Sequence, residues 1–174
     1  TLIPLQLRDQ AGLDANKVNF ISLTPGTTFD LRSATGVTQE RALLFHLLCD
    51  LVSRPRGLRN LLQVSAGIDA WDRAVGNLTL EGVDRRIIDR FRRDVELNHD
   101  LFEDLERVCE LFPRRREVYP AEMTQPRNSL VARLRAKLSH ACVDALQPDL
   151  IIMDEFQRFR DLLHGDSDAA ILAR

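Results

Sequence analysis

Lysine is nearly missing from this chain. Of 24 basic residues only Lys17 and Lys137 are lysines, which leaves 22 arginines. A phosphate-binding P-loop needs Gly-Lys-Ser or Gly-Lys-Thr so that an ammonium can reach the β- and γ-phosphates. Lys17 follows Asn16 and Lys137 follows Ala136, so the sequence holds no Walker A segment. Cysteine is scarce as well. Cys49, Cys109 and Cys142 lie far apart, each inside an apolar, helix-like pattern. That spacing fits neither a zinc site nor a disulfide framework and reads as buried thiols in a reducing cytoplasm. No apolar run approaches the length of a membrane span, and no opening stretch reads as a signal peptide. An excess of one charge is lacking too: 24 basic residues face 26 acidic ones, so no overall basic field announces a nucleic-acid partner. No Ser/His/Asp or Cys/His arrangement is readable, which leaves nucleophilic catalysis without support.

What is present is the material of a globular domain. The chain has 174 residues, 44% of them hydrophobic and 29% charged, enough for one ordinary core. It opens on Thr1 and stops at Arg174 inside what reads as a helix just begun. The expectation is a piece of a larger protein.

Two stretches near the start read as strands: Leu2 to Leu7, interrupted by Pro4, and Val18 to Leu23. The second runs into Thr24-Pro25-Gly26-Thr27-Thr28-Phe29, a Pro-Gly turn dressed with hydroxyls. The next hundred residues read as helices. Thr38 is expected to cap a first helix with Glu40 in its opening turn, and Arg54-Pro55-Arg56-Gly57 to end it. Leu58 to Val64 and Ile68 to Val75 read as short helices hinged at Gly67. Asp84 to Leu97 and His99 to Phe112 carry apolar residues at 3.6-residue spacing. Pro113 to Pro126 reads as the longest irregular stretch, and Asn128 as the cap of a long helix through Leu146.

The clearest chemical signal comes last. Leu150-Ile151-Ile152-Met153 runs directly into Asp154 and Glu155, the form of a buried parallel strand delivering carboxylates to a sheet edge. Read as a Walker B segment, Asp154 would hold the Mg²⁺ of a bound nucleotide and Glu155 would orient or deprotonate the attacking water. A core strand meeting a solvated loop gives the same letters.

With both loops in hand, the chain resembles the first motor domain of a superfamily-two helicase, the class that includes Swi/Snf-type DNA translocases. Asp154-Glu155-Phe156-Gln157 is similar to motif II of that class, and Ser22 to Phe29 to its motif Ib. Gly36, Glu40 and Arg41 are similar to a Gly…Glu-Arg helix start in a bacterial group of helicase-related proteins. The resemblance covers about forty residues at the two ends. It implies that Glu155 and Gln157 are catalytic, Asp154 and Glu155 bind the Mg-ATP cofactor, and Asp154 is the metal ligand. It also implies that Thr24, Pro25, Gly26 and Thr27 touch the phosphate backbone of DNA or RNA, and that a second motor domain of the same parent is a partner. Walker A is then expected upstream of Thr1, and the chain alone is expected to be inactive on ATP. Ser33-Ala34-Thr35 has the letters of motif III but precedes motif II, where that motif should follow it, and is set aside.

The expected fold is mostly α with a small parallel β component: an incomplete RecA-like α/β motor domain carrying a large helical insertion. Residues 1–37 would supply strands and the motif Ib loop, 38–147 the insertion, and 148–174 the Walker B strand and following helices. The rival reading makes the helical body an interaction module with no catalysis of its own. Within it, His46 and His140 read as core or boundary residues and Trp71 as a core anchor. The charges of Asp84 to Leu97 read as self-paired at i,i+4 spacing, and Arg114 to Arg116 as an exposed loop with phosphate contact as the alternative.

Overall fold

The computed structural model describes residues 20–23, 35–116, 118–146 and 150–153. Among them helix predominates, as expected from the periodicity of the middle hundred residues. The chain enters as strand β1 (Phe20–Leu23), continues through six helices, and reaches strand β2 (Leu150–Met153). The helices are α1 (Thr38–Leu48), α2 (Pro55–Gln63), α3 (Ile68–Asn77), α4 (Arg85–Glu96), α5 (His99–Glu110) and α6 (Thr124–Leu146). A 3-10 turn at Ala121–Met123 leads into α6. No helix among the described residues is long and apolar enough to cross a membrane.

Helix α1 is the hub of the helical body. Its apolar residues do not form a single stripe: Ala42, Leu43, Leu44, Leu47 and Leu48 are all buried. A helix apolar on most sides must be covered on most sides, and α2, α3, α4 and α6 all pack against it. The outer helices are amphipathic in the ordinary way. Helix α4 buries Ile87, Phe91 and Val95 and exposes its charges, while α5 buries Leu101, Leu105, Val108 and Cys109. Trp71 of α3 is 0% exposed, and its indole N–H donates to the Arg59 carbonyl at 3.0 Å, so it is the core anchor expected of it. One core joins residues from Ala42 to Ala145.

Several helix ends fall elsewhere than the sequence reading places them. Val37, not Thr38, is the N-cap of α1; Thr38 is its first helical residue. Val37 has no side-chain acceptor, so only one half of a capping box forms: Glu40 accepts from the Val37 N–H at 3.2 Å. Pro55 does not merely end α1 but opens α2 at a position where its missing N–H costs nothing. Helix α6 begins at Thr124, four residues before Asn128, and tolerates Pro126 because the proline sits in the first turn. Asn128 is therefore helical, and its side-chain oxygen accepts from Arg127 Nε at 3.3 Å.

Two features fix how closely the helices approach. A Cβ on Gly57 would lie 2.4 Å from the Cys109 carbonyl oxygen, so α2 reaches α5 only because glycine stands there. Buried Asn60 donates to the Phe112 carbonyl at 2.9 Å and secures the end of α5 to α2. On the surface, Asp72 accepts from Arg59 and Arg115, tying α3 to α2 and to the segment after α5.

Candidate functional site

The two candidate motifs each begin at the end of a strand. β1 and β2 are four-residue runs, Phe-Ile-Ser-Leu and Leu-Ile-Ile-Met. They pair in parallel with Phe20 opposite Leu150 and Leu23 opposite Met153. Thr24 is the next residue after Leu23 and Asp154 the next after Met153. The residues marked out from the sequence, Thr24, Pro25, Gly26, Thr27, Asp154, Glu155 and Gln157, lie outside the described residues.

On the far side of the Thr-Pro-Gly segment the structure describes a fastening built from Thr35, Gly36, Glu40 and Arg41. Arg41 is only 4% exposed although it carries a guanidinium. Its Nε donates to the Leu62 carbonyl at 2.9 Å, Nη1 to the Gly36 and Thr35 carbonyls at 2.6 and 3.3 Å, and Nη2 to Thr38 Oγ1 at 3.2 Å. One planar fork thus binds the chain arriving at α1 to the end of α2. Burial pulls the Arg41 pKa below its ordinary value, with the Glu40 carboxylate working against that shift and Arg127 and Arg135 adding to it. Gly36 has φ +62°, and a Cβ there would lie 2.0 Å from Glu40 Oε2 and 2.3 Å from Arg135 Nε. Glu40 accepts from Arg135 Nε at 3.0 Å. The Gly…Glu-Arg pattern therefore has a physical reading: glycine admits the turn, glutamate caps the helix and holds α6, and arginine gathers the backbone.

The turn that Arg41 holds is strained. Val64, which ends α2, has φ +53°, a region that costs a β-branched residue about 1–3 kcal/mol. Gln63 beside it is 1% exposed. Its Nε2 donates to the Ala66 carbonyl, and its Oε1 has no partner among the described residues.

The chain matches no known family, curated protein or solved structure.

No group of three or more His, Cys, Asp or Glu placed to hold a metal occurs among the described residues. His46 Nε2 lies 2.9 Å from the Val75 carbonyl, a structural tie between α1 and α3. All three cysteines are free thiols; burial raises Cys109 to about 12 and Cys142 to about 11, far from thiolate reactivity at neutral pH. An open groove of about 570 Å³ lies between the α4–α5 junction and α6, lined by Arg90, Asp94, Asn98, His99, Asp100 and Lys137. Two of its charges are spent on each other, since Arg90 pairs with Asp94 at 3.0 Å as well as with Asp144. Of the i,i+4 pairings expected on α4, Arg85–Asp89, Asp89–Arg93 and Arg90–Asp94, the last is made as an ion pair among the described residues, and Arg92 reaches Asp50 on the segment after α1.

The arginines that matter most were not legible as such. Arg127 is 8% exposed, yet its Nε donates to Asn128 and no carboxylate pairs with it among the described residues. Arg115 is engaged by Asp72 and the Ile68 carbonyl at the surface, whereas Arg114 and Arg116 on either side of it make no ion pair among the described residues. A run of three like residues gives no hint of that division.

Proposed function

We propose that this chain is part of the ATPase core of a superfamily-two nucleic-acid translocase, supplying the Walker B carboxylates and a loop that grips the phosphate backbone. The observation that carries the reading is the parallel register of β1 and β2. In a parallel pair both strands run the same way, so Leu23 and Met153 are the exit residues at one edge, where ligands bind in open α/β sheets. The segments that resemble motifs Ib and II start from that shared edge. A RecA-like arrangement, with 38–147 as an insertion in the crossover between the strands, accounts for the pairing of strands so far apart in the chain.

Within this reading Asp154 takes the Mg²⁺ of bound ATP, because a carboxylate suits a hard cation. Glu155 positions and deprotonates water, and Gln157 relays phosphate state to a second motor domain, since an amide both donates and accepts. Thr24, Gly26 and Thr27 offer hydroxyl and backbone N–H donors to phosphate oxygens, contacts that position a strand without reading its sequence. Asp154→Asn in the full-length protein that carries this chain tests the assignment. Metal-dependent ATP turnover should fall at least about a hundredfold; turnover within a few fold of wild type overturns it.

A second reading draws on the helical body, which closes its own core from Ala42 to Ala145. As an interaction module it would recruit a partner rather than serve the motor. Replacing 38–146 by a short linker separates the two: ATP turnover that survives while nucleic-acid or partner recruitment is lost favours the module.

A further inference from the structure

We infer that Arg114, Arg116 and Arg127 form a second phosphodiester-binding surface on the helical body, for the backbone of the same nucleic acid. That this is the nucleic acid held by Thr24 to Thr27 rests on the proposed function; the chemistry of the surface does not.

The chain as a whole carries net charge -2, yet residues 114–135 hold six arginines against two glutamates, Glu117 and Glu122. Of those six, Arg115 is committed to Asp72 and Arg133 to Asp104. Arg135 is held by Glu40 at 3.0 Å. Arg114, Arg116 and Arg127 have no ion-pair partner among the described residues. They also stand together. Buried Tyr119 packs its ring 4.9 Å from that of Phe112, and its hydroxyl accepts from the Arg116 N–H and donates to the Arg114 carbonyl, both at 3.3 Å. The backbone of the loop is therefore pinned from beneath while the two arginine side chains face solvent. Arg116 and Arg127 both lie close enough to bias the Tyr119 hydroxyl electrostatically, and Arg127 and Arg135 do the same to Arg41. Arg114 and Arg116 thus stand on the pinned loop, and Arg127 follows in the first turns of α6, directly after the 3-10 turn that the loop runs into. The acids between Arg114 and Arg135 in the chain are Glu117 and Glu122, the latter exposed on the turn before α6.

A solvated charged face normally interleaves both signs, as α4 does with Arg90–Asp94 and Arg86–Asp84. Guanidiniums left without carboxylates on a pinned backbone instead match the repeating anions of a phosphodiester chain.

The test is fluorescence anisotropy of a short labelled duplex of mixed sequence titrated with the 174-residue chain across a salt series. Wild type should bind with an affinity that falls steeply with salt. Arg114→Glu combined with Arg116→Glu should weaken binding at low salt at least about tenfold and lower the slope of log affinity against log salt by about two. Both side chains are exposed, so the urea midpoint should not move. Arg127→Gln should weaken binding while Arg127→Lys retains most of it. The control pair Arg85→Glu with Arg93→Glu, on exposed positions of α4, should cost less than a third as much. Absence of duplex binding by wild type overturns the inference. So does an unchanged affinity in the loop pair, an equal loss in the control pair, or competition by polyglutamate as effective per charge as DNA. If Thr24→Ala with Thr27→Ala binds as wild type while the arginine pair does not, the loop assignment falls and the arginine surface stands.

Discussion

Replacing Gly36 with alanine adds a single methyl group at the point where the chain from the Thr-Pro-Gly segment meets α1, and the geometry gives the cost in two parts. At φ +62° an alanine pays about 1 kcal/mol relative to glycine. The new Cβ would also sit 2.0 Å from Glu40 Oε2 and 2.3 Å from Arg135 Nε. Those are the far ends of flexible side chains, so they move aside rather than break the backbone. Moving them disrupts the 3.0 Å Glu40–Arg135 pair and the Glu40 contact to the Val37 N–H. The pair is mostly shielded from water, and its loss together with that of the cap is worth about 1–2 kcal/mol. A destabilisation of about 2–3 kcal/mol follows, which shifts a urea midpoint by about 1–2 M for a domain of this size. Gly36→Asn separates the parts, because asparagine tolerates the left-handed region but still carries a Cβ. It should recover about 1 kcal/mol and no more. An alanine variant within about 0.5 kcal/mol of wild type would refute the account of this junction.

Other perturbations probe the rest of the body. Arg41→Met leaves the Leu62 and Gly36 carbonyls without their charged donor and should cost about 3 kcal/mol, read as a fall of roughly 10 °C in Tm; Arg41→Lys should not restore it, since an ammonium lacks the planar fork. Gly57→Ala forces α2 away from the Cys109 carbonyl and should cost about 1–3 kcal/mol in urea unfolding. Hydrogen bonds from Arg115 and Arg59 hold the Asp72 carboxyl down from 3.8 to about 2. A depressed carboxylate contributes stability that is present above its ordinary pKa and lost as pH falls through the folded value. Wild type should therefore lose a small increment, under about 1 kcal/mol because the group is well solvated, between those two pH values. Asp72→Asn should lack that increment, as a comparison of urea midpoints across the same window will show.

Much of the helical body was legible from apolar spacing alone. Trp71, the inner face of α4 and the seam of α5 all sit where a 3.6-residue period puts them. Helix ends were harder. A proline opens a helix as readily as it closes one, so Pro55 and Pro126 read as breaks from the sequence alone, and Val37 caps α1 without the side chain that marks a cap. The partners of the buried arginines were illegible for a different reason. Arg41 binds backbone carbonyls of Thr35, Gly36 and Leu62, and a carbonyl partner leaves no residue type for a sequence reader to find. At the candidate site the strands were read correctly as strands, and their shared register comes from the structure. The motif residues themselves lie outside the described residues, and their roles stand on the resemblance.

The central claim is that the edge where β1 and β2 end belongs to an ATPase in which Glu155 activates water. Nucleic-acid-stimulated ATP turnover and nucleotide binding, measured side by side for wild type and Glu155→Gln in the full-length protein, address it most directly. The account predicts that the variant binds ATP as wild type does and does not turn it over. Retained turnover would contradict it.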